Sequence, residues 1–123
     1  MRNISLLLLC LLPFPAFAQT MEGLWLSGEW EGARSVIEVA PCDDGLCGII
    51  VEMRGGEAQD GRIGHRIMWG FEDQGNGRYS KGKLKPPGGA PQLGAKITSI
   101  SETEMIIRAC LLMICRNETM TRL

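Results

Sequence analysis

Residues 36–53 read VIEVAPCDDGLCGIIVEM, two β-branched runs on either side of Asp43-Asp44-Gly45. Asp and Gly supply turn chemistry, and Cys42 and Cys47 stand where two strands would enter and leave the turn. The stretch predicts a β-hairpin, and the rest of the chain is placed around it.

Upstream, GLWLSGEW over residues 23–30 reads as a short aromatic-bearing strand, followed by a turn at Glu31-Gly32-Ala33. Downstream, residues 54–66 are rich in Gly and charge and have no period, which predicts a long loop over one end of the domain. Further strands are expected at 67–72, 78–84, 93–100, 105–111 and 115–123, with turns at 73–77 and 101–104. Pro86-Pro87-Gly88-Gly89 ends the second of these, because proline cannot continue a ladder. Eight short strands with no helical period predict an all-β fold, a small antiparallel up-and-down barrel whose closure removes exposed edges.

The amino terminus reads as a secretory signal over residues 1–18, with Arg2 as the basic region, an apolar run at 4–12 and an A-x-A cleavage site at Ala16-Phe17-Ala18. Cleavage leaves residues 19–123 as a single barrel domain. The apolar run is shorter than the roughly 20 residues a spanning helix needs, so no transmembrane segment is expected. Cys10 falls within the discarded segment, and Leu9 before it is too bulky for lipoprotein processing.

Four cysteines remain, Cys42, Cys47, Cys110 and Cys115, as two identical C-x4-C pairs in a chain expected to reach an oxidising compartment. Local disulfides are the leading reading, because structural zinc favours shorter C-x2-C knuckles; crossed pairing between the two loops stays open. The formal net charge is −1, and positive and negative residues nearly balance, so nucleic acid is not an expected partner.

Opposing Cys42 and Cys47 across the hairpin sets Val39 against Ile50 and Ile37 against Glu52 on one surface. With Ile37, Val39 and Ile50 inside, Glu38 reaches water and Glu52 is left facing inward, where a carboxylate needs a partner. In the closing strand Arg116, Glu118, Met120 and Arg122 share one face and Asn117, Thr119 and Thr121 the other. Taken alone, alternation favours the threonines inside.

Gly23-Leu24-Trp25, Pro41-Cys42, Leu46-Cys47-Gly48-Ile49-Ile50-Val51, Gly70-Phe71, Tyr79, Gly82-x-Leu84 with Pro87, Cys115-Arg116 and Thr119-x-Thr121-Arg122 together resemble the DUF2147 family of bacterial exported proteins. That family has a lipocalin-like (calycin) barrel and no known function. Met120 stands where the family usually has tryptophan, and Lys85-Pro86 where it usually has Tyr-Asp. The resemblance implies a periplasmic location and a Trp25–Arg122 cation–π closure of one barrel end. It also turns Arg116 and Glu118 inward beside Glu52, as an ion-pair network or contacts for a polar ligand.

His65 is the sole histidine, which excludes His-based triads and multi-His metal sites; it reads as a surface residue of the long loop. No nucleophile elbow, phosphate loop, dinucleotide fingerprint or C-x-x-C pair occurs, so neither catalysis nor a cofactor or metal is expected. Asp43 and Asp44 are accounted for by the turn. Tyr79, Lys81, Lys83 and Lys85 alternate along one strand as a solvated basic face or an anion or head-group contact, while Ser80, Gly82 and Leu84 line the inner side and could leave room for a ligand. The leading expectation is a non-enzymatic barrel that binds a small amphipathic or lipid-like ligand, lined by Ile37, Val39, Ile50, Glu52, Arg116 and Glu118. The alternative is a protein-interaction module, an inhibitor or envelope-stress accessory acting through the 54–66 loop or the basic face.

Overall fold

The computed structural model describes residues 20–55 and 60–123. The expected signal over 1–18, Cys10 within it and the mature start at Gln19 lie outside the described residues. Eight strands run in chain order: β1 (Gly23–Leu26), β2 (Arg34–Cys42), β3 (Gly45–Arg54), β4 (Arg66–Gly75), β5 (Arg78–Leu84), β6 (Leu93–Ile100), β7 (Glu104–Leu111) and β8 (Ile114–Arg122). Each pairs antiparallel with the next, and β8 returns to β1 to close the barrel. A 3-10 turn, Asp60–Arg62, lies in the described part of the long loop. Among the described residues, no helix is long and apolar enough to cross a membrane.

Strict alternation holds in short stretches and breaks at bulges. Between β2 and β3 the turn is tighter than an opposed cysteine pair would need: Cys42 faces Gly45, Cys47 faces Ala40, and Ile37 faces Ile50. This two-residue slip keeps Ile37, Val39 and Ile50 inside, since strand sides repeat every two residues. A bulge then places Val36 opposite Glu52, so Val51 and Glu52 both face out. Glu52 is accordingly no lining residue; its carboxylate accepts from Arg54 Nε at 2.9 Å in solvent.

The same device recurs in β4, β5 and β6. Met68 and Phe71 are both buried with two residues between them, as are Tyr79 and Gly82, and Ile97 and Ile100. Gly70 (φ 79°) sits at the bulge of β4 against β3 and Lys81 (φ 60°) at that of β5 against β6, side by side in the sheet. Tyr79 is therefore a core residue, 5% exposed, and not part of a basic face; Ser80 takes the outer position across from Glu72.

The cysteines pair locally, Cys42 with Cys47 and Cys110 with Cys115. They staple hairpins at opposite ends of the barrel, β2–β3 and β7–β8. In the chain-entropy model, closing such a short loop contributes about 2 kcal/mol. Replacing Cys110 and Cys115 together with Ala is expected to lower the unfolding free energy by about that amount, read as a lower urea midpoint; an unchanged midpoint would contradict a stabilising role.

Candidate functional site

The interior is the first place to look for a site, and it is filled. Ile37, Val39, Ile50, Met68, Phe71, Ile97, Met105, Ile107 and Met120 pack there at no more than 5% exposure. Two glycines let large side chains cross the barrel. A Cβ on Gly82 would stand 2.2 Å from the Phe71 ring, and one on Gly48 would stand 2.5 Å from Met68 Cγ. The space beside Gly82 thus belongs to Phe71. Ile37, Val39 and Ile50 belong to the buried core cluster.

One end is closed by the segment before β1. Met21 is fully buried, its carbonyl accepts from Trp25 Nε1 at 2.7 Å, and its N–H donates to the Tyr79 hydroxyl at 3.3 Å. Arg122 lies 4.2 Å over the Trp25 ring and donates to the Thr20 and Glu22 carbonyls. The cation therefore clamps both the tryptophan and the plug that covers it.

Outside this closure lies an open depression of about 1360 Å³. Its floor is Leu46, Phe71 and Tyr79, its rim the β4–β5 turn with Asn76 and Gly77, and Glu22, Asp73, Glu102 and Arg122 bring charge to its edge. Leu46 and Phe71 come together because β3 and β4 pair them directly. Apolar floor and polar rim are what an amphipathic molecule needs. Leu46 and Phe71 stand in two of the stretches that carry the family resemblance, but nothing in those stretches marks them for contact with a ligand.

The remaining expected residues disperse. Arg116 and Glu118 face the inner side, across from Ala109 and Ile107, but beyond the end of β1, which pairs with β8 only at Trp25–Arg122 and Leu26–Thr121. With no strand beside them on the β1 side they are solvated, 76% and 50% exposed, and form a 3.9 Å pair. An inward network with Glu52 is not formed. Lys81 pairs with Glu72 at 3.4 Å, Lys83 is exposed, and Lys85 Nζ donates to the Ala90 carbonyl at 2.7 Å. Tyr79, Lys81, Lys83 and Lys85 thus make no common face.

His65 bridges loops: its Nε2 is 2.8 Å from the Lys85 carbonyl, and its own carbonyl accepts from Ile50 N–H. Asp44 does more than turn the hairpin, accepting from Arg66 at 2.9 Å, while Arg66 lies 4.7 Å over Trp69. Among the described residues, no group of three or more His, Cys, Asp or Glu is placed to hold a metal ion.

Residues 23–122 match the model of a family described as "Uncharacterized protein conserved in bacteria (DUF2147)", and the chain belongs to that family. No curated protein and no solved structure matches it.

The filled interior is testable by a double-mutant cycle. Gly82→Ala is expected to cost about 1–3 kcal/mol through overpacking, and the cost should shrink in a Phe71→Leu background. Equal costs in the two backgrounds, by urea denaturation, would contradict the Phe71–Gly82 contact.

Proposed function

We propose that this DUF2147 barrel is a non-enzymatic binding protein of the periplasm, taking a small amphipathic or lipid-like ligand in the depression at its closed end and not inside the barrel. The observation that carries the reading is the contrast between a filled interior and an open, apolar-floored depression beside it. The export-signal pattern at residues 1–18 and the two disulfides support an oxidising compartment. The commitment of its one histidine to a backbone carbonyl supports a role without catalysis.

A protein-interaction role draws on a different feature, the tethering of the long loop. Gly64 N–H donates to Ile50 O, and Arg62 reaches Glu31 at 2.7 Å, so this part of the loop is presented in one shape.

Native mass spectrometry of the protein purified from a periplasmic extract is expected to show a bound small molecule that Leu46→Trp displaces. A ligand retained by Leu46→Trp would refute its placement in the depression. A bare mass under gentle conditions would refute the carrier reading and favour the interaction module.

A further inference from the structure

At the barrel end opposite the depression, the β7–β8 hairpin finishes in four consecutive apolar residues, Leu111-Leu112-Met113-Ile114. Leu112, Met113 and Ile114 are 93%, 96% and 76% exposed. Isolated surface hydrophobes need no explanation, but a contiguous apolar tip does.

The backbone makes the choice of residues sharper. Leu112 sits at φ 55°, a left-handed conformation that turn chemistry normally assigns to Asn or Gly. At the other tight turns the left-handed positions are held by Glu31 and Gly32, by Gly45, and by Asn76 and Gly77, all polar residues or glycine. Among the described residues, only here is a bulky apolar residue held in a strained position, with the Cys110–Cys115 bridge closing the hairpin directly beneath. Strain kept at an exposed position points to a use for those side chains.

Charge supplies the direction. Lys83, Lys96, Arg108 and Arg116 stand on neighbouring strands within two or three residues of the bridge level, on the pairs Lys83↔Gly94, Gly94↔Cys110 and Lys96↔Arg108. Glu118, already paired with Arg116, is the acid among them; the other acids of this end, Glu29, Glu31 and Glu52, lie on the β1–β3 side, the last two paired with Arg62 and Arg54. At the opposite end lie Asp43, Asp44, Asp73, Glu102 and Glu104. A basic collar two to four residues below the tip is roughly 7–13 Å behind it, the depth of a head-group layer when the tip reaches the acyl boundary.

We infer that the β7–β8 tip docks this barrel on an anionic phospholipid surface, with Leu112 and Met113 inserted and the collar on the head groups. Four side chains on a convex tip fall short of the roughly 1,000 Å² that a stable protein–protein contact needs, whereas a bilayer interface accepts a small apolar wedge with basic flanks. This docking is independent of what the depression takes, and it turns the depression away from the membrane.

The test is co-sedimentation of the disulfide-bonded protein with extruded vesicles of phosphatidylglycerol and phosphatidylethanolamine, against vesicles of phosphatidylcholine alone. Binding to the anionic vesicles is expected, weakened at least tenfold by Leu112→Gly with Met113→Ser. Glycine takes the positive φ at 112 without strain and position 113 has none, so the midpoint of thermal unfolding should not fall and a folding defect cannot account for lost binding. Lys96→Glu with Arg108→Glu should weaken binding to the anionic vesicles and leave the tip untouched. The proposal is overturned if the protein stays in the supernatant, binds both vesicle types equally, or binds unchanged after the tip substitutions. Tip-dependent self-association without vesicle binding would overturn it in favour of a second copy of the chain.

Discussion

The contact between Phe71 and Gly82 is the constraint on which the rest of this barrel depends. Eight strands enclose a space that can be filled or hollow, and glycine on β5 lets an aromatic ring from β4 cross into it. The crossing requires both strands to break alternation at the same height. Gly70 and Lys81 accept the left-handed backbone that these bulges impose. With the middle of the barrel occupied, binding surfaces are displaced to the two ends.

Those ends differ in chemistry. One is closed by Met21 together with Trp25 and Arg122 and carries an apolar-floored depression edged by Glu22, Asp73, Glu102 and Arg122. The other ends in an apolar hairpin tip above a cluster of lysines and arginines. A disulfide serves each: Cys42–Cys47 fixes the hairpin that carries Leu46, and Cys110–Cys115 fixes the tip. Stapling short hairpins suits a chain of this size, where a modest core leaves little stability in reserve.

Much of this architecture is legible in the residues. The β-branched runs around Asp43-Asp44-Gly45, the Asn76-Gly77 turn and the proline stop after Leu84 place strands within a residue or a few of where they lie. What alternation cannot supply is the bulge. Glu52 turns outward because Val51 is an extra residue, and Tyr79 turns inward because Lys81 is one. Arg116 and Glu118 lie on the expected side and still face water, because β1 ends at Leu26 and leaves that stretch of β8 uncovered. Strand length on a neighbour, and not the sequence of β8 itself, decides their environment. The tip is different again: the strand ends at 111 and 115 leave residues 112–114 to a turn, and the structure adds that their apolar side chains stand in solvent.

The most direct test of a filled barrel is xenon titration under pressure, followed through the methyl resonances of Ile50, Ile97 and Ile107. These side chains lie in the core and away from the depression. Xenon enters dry apolar cavities and leaves packed interiors alone. The account predicts only weak, non-saturating shifts at these methyls. Saturating shifts there would reveal a cavity inside the barrel, and would return the ligand site to the interior.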